Sequence, residues 1–144
     1  SRGWPEGVEH SGASRSINRE KLQVETLEEN LADPTHIRHK LFERYSELLM
    51  ARQQEPAFSL QAHQDILDSP EGGFVLQRVS EGSDVILCLF NFTSADLNFH
   101  IDPPAYAGGT YQDLLTNREY TTENIKIEPF GFHWLKQNSE KTQN

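Results

Sequence analysis

The sequence predicts a mostly β fold, an antiparallel β-sandwich led in by a helical segment. Three observations carry that expectation. Five short apolar or β-branched runs follow one another at residues 74–79, 84–92, 96–101, 110–116 and 124–128. Turn residues separate them, at Gly72-Gly73, Glu81-Gly82, Thr93-Ser94, Pro103-Pro104, Gly108-Gly109 and Asn117, with no helical period between the runs. Short strands at that spacing make a sandwich rather than a parallel sheet. Ahead of them, residues 25–56 carry apolar positions at helical spacing.

Leu97, Phe99 and Ile101 alternate with polar residues, as do Ile125 and Ile127, so each run reads as a half-buried strand. The run 85–90 is apolar without a break and is expected to be central and covered on both faces. Cys88 lies inside it and reads as a small buried hydrophobe; as the single cysteine it excludes an internal disulfide and suits a reduced cytoplasm. Asn91-Phe92-Thr93 fits a glycosylation pattern, but inside an expected strand the match is chance.

In the helical part, Thr26 with Glu29 reads as a capping box for a short helix ending near Ala32. Asp33-Pro34 reads as the cap and first position of a second helix of about five turns. Ile37, Leu41, Tyr45, Leu48 and Leu49 form its apolar stripe, and Pro56 marks its end. Residues 1–24 are rich in Gly, Ser and charge and read as a long loop, and residues 137–144 as a disordered polar tail. The expected organisation is therefore 1–56 as loop and helices, 57–136 as the sandwich, and 137–144 as tail.

Charge narrows the function. The net charge is −9, and residues 61–135 hold 11 acids against three bases. Such a surface repels nucleic acid and anionic membrane, so neither is an expected partner. Residues 1–60 hold 10 acids against eight bases, which places any anion chemistry there. Its most pointed segment is Ser14-Arg15-Ser16-Ile17-Asn18-Arg19, where two arginine forks and an amide crowd a short loop suited to gripping a carboxylate and sugar hydroxyls. His36 and His39 share a helix face without a third ligand, so no metal and no cofactor is expected. Tyr106, Tyr111, Tyr120, Phe130 and Trp134 offer either a sugar-stacking platform or ordinary core packing.

The run Glu6-Gly7-Val8, Gly12, the Ser14-to-Arg19 motif, Asn30-Leu31 and Pro34 together resemble the sucrose phosphorylase group of the α-amylase superfamily. Arg52 with Pro56-Ala57-Phe58-Ser59 resembles the entry from the last barrel helix into the C-terminal domain. Asp113-Leu114-Leu115-Thr116 and Pro129-Phe130-Gly131-Phe132-His133-Trp134-Leu135 resemble that domain's closing strands. The resemblance implies that residues 1–56 are the end of a truncated (β/α)8 barrel. It implies a C-terminal fragment of a retaining α-glucosyl-transferring enzyme, acting on sucrose or a related α-glucoside with phosphate. Arg19 is the implied glucose-subsite residue, with Asn18 and Arg15 flanking it. The implied catalytic carboxylates lie on the missing barrel, so the fragment itself has no catalytic residues and is expected to be inactive. Where sucrose phosphorylases carry Asp before the Ile-Asn-Arg motif and His-Tyr-Tyr after it, this chain has Ser16 and Glu20-Lys21-Leu22, which opens the donor to other glucosides. The resemblance implies the barrel as partner; without it, the apolar stripe at 37–49 is expected to pair with a second copy of the chain. The alternative from another class is a non-catalytic carbohydrate-binding or protein-interaction module.

Overall fold

The computed structural model describes residues 3–18, 21–101 and 110–138. The chain divides into two compact units, residues 1–46 and 47–144.

The first unit is helical. Helix α1, Pro5–Ser11, occupies part of the stretch expected to be loop. Pro5 supplies the helical φ at its start, and Gly12, at φ 64°, closes it with an N–H bond to the Val8 carbonyl at 2.8 Å. Seven residues are too few to display a 3.6-residue period, which is why composition alone reads as loop. A 3₁₀ turn, Ser14–Asn18, follows. Helix α2, Val24–Ala32, starts ahead of Thr26 on Gln23, with no side-chain cap, so the expected capping box does not form. Asp33 caps a turn instead of a helix: its Oδ1 accepts from the Thr35 N–H and hydroxyl, both at 2.8 Å. Helix α3, Ile37–Gln54, begins after it, and His36 Nδ1 accepts from the Arg38 N–H at 3.1 Å. The cap has thus passed from Asp33 to His36, because the Asx turn and Pro34 take up the residues between.

Among the described residues, the second unit takes the last turns of α3, a 3₁₀ turn at Pro56–Phe58, and eight strands. These are β1 His63–Leu67, β2 Gly73–Val79, β3 Val85–Asn91, β4 Leu97–Phe99, β5 Tyr111–Asp113, β6 Glu119–Tyr120, β7 Ile125–Ile127 and β8 Phe132–Gln137. Six form one antiparallel sheet in the order β1-β2-β3-β8-β5-β6, and β4 pairs with β7 in a second. The two sheets enclose a core of Val75, Leu87, Leu89, Phe99, Ile101, Tyr111, Ile125, Ile127 and Leu135. The expected mostly β antiparallel sandwich is the fold. Strand β3 is internal to the larger sheet, as its unbroken apolar run predicts.

Register then sorts the side chains of the large sheet. Val75, Leu89 and His133 share the inner row, and Gln77, Leu87 and Leu135 the next. On the outer face stand Phe74, Phe90 and Phe132, then Leu76, Cys88 and Trp134, then Arg78, Ile86 and Lys136. Gly73 lets β2 lie close to the core, since a Cβ there would stand 2.7 Å from the Phe99 ring. The last turn of α3 is tied down by Lys136 Nζ, which donates to Glu55 Oε2 at 2.7 Å.

Candidate functional site

Arg15 and Asn18 sit on the 3₁₀ turn of the first unit, and both are exposed. Main-chain bonds shape that turn: the Trp4 N–H donates to the Ile17 carbonyl at 2.7 Å and the Ser16 N–H to the Ala13 carbonyl at 2.9 Å. Ser11 and Ser16 hydroxyls meet at 2.6 Å, and Ser11 also donates to the Gly7 carbonyl at 2.6 Å. The motif is therefore held by backbone while its polar side chains face solvent. Arg19, the residue expected to grip glucose, lies outside the described residues.

A second polar constellation went unread in the sequence. Asp113 is almost wholly buried at the end of β5. Its Oδ2 accepts from Thr116 Oγ1 at 2.6 Å and meets His133 Nδ1 at 3.2 Å. Its Oδ1 takes the Leu115 and Trp134 N–H groups at 3.4 and 3.3 Å. Burial pushes this carboxyl up, but the bonds from His133, Thr116 and Leu115 outweigh it and hold the group below the usual carboxylate range. An ionised, enclosed carboxylate with four donors around it is a structural clasp rather than an acid or a nucleophile. The other side of His133 meets the Tyr120 hydroxyl at 3.5 Å. A surface hollow of about 540 Å³ lies beside Tyr120, Phe132 and His133, and two of its charges, Lys126 and Asp96, are paired across 2.6 Å.

The aromatic candidates do not converge. Tyr111 belongs to the inner core, Trp134 to the outer face, Phe130 is exposed on a turn at φ 55°, and Tyr106 lies outside the described residues. His39 is used locally, Nδ1 with the Leu31 carbonyl at 2.6 Å and Nε2 with Glu43 at 3.4 Å. Among the described residues no group of three or more His, Cys, Asp or Glu is placed to hold a metal. Cys88 is buried, and loss of solvation pushes its thiol up to about 12, which makes it unreactive. Among the described residues no helix is long and apolar enough to cross a membrane.

Comparison with known proteins decides the relationship. No family model matches the chain. It is 35% identical over 130 residues, 90% of its length, to the glucosylglycerate phosphorylase of Allomeiothermus silvanus. It is 42% identical over 92 residues, 63% of its length, to that of Spirochaeta thermophila. The chain matches a C-terminal part of an α-amylase-superfamily phosphorylase. It spans 21% and 16% of the lengths of those two relatives. Solved structures agree on the fold. An AmyP variant in complex with maltotriose superposes with a TM-score of 0.63 at 18% identity, over 74% of this chain and 22% of that one. An Anoxybacillus α-amylase gives 0.63 at 14% identity, over 77% of this chain and 25% of that one. The trehalose-6-phosphate hydrolase of Bacillus licheniformis gives 0.56 at 16%, over 77% and 20%.

Proposed function

We propose that this chain is the closing segment of a retaining α-glucosyl-transferring enzyme, comprising the last helices of its catalytic barrel and the sandwich that follows. The supporting observation is the 35% identity to a glucosylglycerate phosphorylase across 90% of the chain. The parent reaction moves a glucosyl group between an α-glucoside and phosphate, and the names of the relatives favour glucosylglycerate over sucrose as the donor. Retention takes two carboxylates about 5 Å apart, one of them protonated. Asp113 is held ionised by its donors, so it is no general acid, and it is buried with both oxygens occupied, so it is no nucleophile. The carboxylate pair then belongs to the barrel, and the role of this chain is accessory: it supports the barrel and presents Arg19, flanked by Asn18 and Arg15, to the glucose subsite. The setting is the cytoplasm, in keeping with one buried thiol. Partners are the rest of the barrel and, when the chain stands alone, a second copy through the 37–49 stripe of α3.

The test has two arms. The isolated chain should show no hydrolysis or phosphorolysis of sucrose or glucosylglycerate. In the longer protein, Arg19→Lys should lower kcat by about 10²-fold or more, since a point charge cannot replace a two-pronged donor. Steady turnover by the isolated chain would overturn the accessory reading, and full activity in the lysine variant would remove Arg19 from the site.

A further inference from the structure

One hollow in the sandwich is lined by chemistry that the accessory role leaves unused. It measures about 540 Å³ and lies between the two sheets. Asp96, Lys126 and Glu128 line it from the side of the small sheet, and Arg118, Tyr120 and His133 from that of the large one. Its wall holds a fixed imidazole. Asp113, 1% exposed, keeps Oδ2 3.2 Å from His133 Nδ1. A carboxylate oxygen there is an acceptor, so Nδ1 carries the proton and Nε2 presents its lone pair. The Tyr120 hydroxyl stands 3.5 Å from that Nε2, with the two rings 4.9 Å apart and tilted by 43°. That gap exceeds the usual span of a hydroxyl hydrogen bond, so neither group satisfies the other. A ligand hydroxyl can donate to Nε2 and accept from the tyrosine hydroxyl at once.

We propose that this hollow binds a neutral carbohydrate, with its hydroxyls on His133 Nε2 and the Tyr120 hydroxyl and a ring face against the half-buried rings of Tyr120 and Phe132. The charge of the lining selects a neutral ligand. Arg118 and Lys126 are matched by Asp96 and Glu128, and Lys126 Nζ already lies 2.6 Å from Asp96 Oδ2. Around them, residues 61–135 carry 11 acids against three bases, so an anion meets repulsion. A wholly apolar ligand would strip water from these charges without replacing it. A sugar offers both a hydroxyl edge and an apolar ring face, which charged groups beside aromatic rings can serve together. The exposed guanidinium of Arg118 adds a donor fork for a further hydroxyl. The volume lies within the range of about 300–1,000 Å³ usual for small-molecule sites. The inference goes beyond the accessory role and does not depend on the chain being part of an enzyme.

The test titrates the chain with maltose and with sucrose, and separately with sodium phosphate, following backbone amide shifts by NMR. Either sugar should saturate with a Kd of about 1–10 mM, as befits a site left open to water. The shifted amides should centre on residues 118–120, 126–128 and 132–134. Tyr120→Phe keeps the ring and removes the hydroxyl. It should weaken binding about 3- to 10-fold, the worth of one net hydrogen bond, with the melting midpoint moved by less than about 2 °C. Arg118→Gln, at an exposed position, should also weaken binding, and it decides the matter if Tyr120→Phe folds poorly. No saturable shift with either sugar up to about 100 mM, tenfold above the expected range, would overturn the proposal. Saturation centred on other residues would do the same. Phosphate binding as tightly as the sugars would make the hollow an anion site, against the proposal. Equal affinity in the wild type and both variants would leave Asp113 and His133 as a structural clasp alone.

Discussion

Asn91 shows how one residue joins three parts of the sandwich. It is buried at the end of β3, and its amide nitrogen lies 2.8 to 3.1 Å from the carbonyl oxygens of Ala95, Ile127 and Glu128. Its Oδ1 accepts from the Thr93 N–H and hydroxyl, both at 2.8 Å. The side chain thus links the end of β3 to the turn before β4 and to the end of β7. Asn91→Asp keeps the shape and removes the donor, leaving a carboxylate against three carbonyl oxygens. The expected cost is about 3 kcal/mol or more at pH 7, from an unpaired buried charge. That environment raises the new carboxyl's pKa in the folded state, so part of the loss should return as pH falls towards 4.5. Urea unfolding at the two pH values checks this, and an unchanged midpoint at pH 7 would contradict it. The sequence displayed Asn91 as a chance glycosylation pattern, because burial is set by residues four to 37 positions away. Arg15 and Asn18 were legible as a motif, yet their exposure follows from main-chain bonds that no side-chain pattern reports.

At the scale of elements, legibility followed periodicity. The runs behind β2, β3, β4, β5 and β7 stood out because apolar residues alternate or repeat within them. β1 did not, since His63, Gln64 and Asp65 give it a polar face as an edge strand paired with β2. β6 has two residues and is defined by its pairing with β5. What fastens these pieces is side-chain to main-chain bonding. Arg78 Nε donates to the Ala57 carbonyl and Nη2 to the Ser59 carbonyl, both at 2.7 Å, which fastens the entry turn to β2. Asp113 does the same between the turn after β5 and β8. Because its folded pKa lies below the unfolded value, the clasp contributes fully above pH of about 4 and is lost as pH falls through the folded pKa. Asp113→Asn should therefore cost about 1–3 kcal/mol at neutral pH, with the difference from wild type shrinking below pH of about 4. Chemical denaturation of both proteins across pH 3–7 measures it. A constant difference across that range would mean that shape, not charge, holds the turn.

On the scale of the whole molecule, α3 departs furthest from what an isolated domain needs. Ile37, Leu41 and Tyr45 are 61%, 58% and 64% exposed, and Phe42, Leu49 and Met50 are exposed as well. The stripe was legible in the sequence, and so was its need for cover. The apolar set is also wider than one stripe, because Phe42 and Met50 extend it around the helix. If the chain closes a longer enzyme, as we propose, that surface packs on the rest of the barrel. In the isolated chain it amounts to several hundred Å², near the upper limit for a soluble monomer. At roughly 25 cal/mol per Å², covering that much surface is worth several kcal/mol or more, enough to offset much of the entropic cost of association. A two-fold pairing of helices, each supplying the same face, is the simplest closed arrangement. Sedimentation should then show a concentration-dependent dimer for the wild-type chain. Leu41→Glu places a charge in the middle of the paired faces and should give a monomer with an unchanged melting midpoint, since Leu41 is exposed within its own chain. A wild type that stays monomeric at high concentration would refute the pairing, and a Leu41→Glu variant that unfolds would place Leu41 in the core of its own chain.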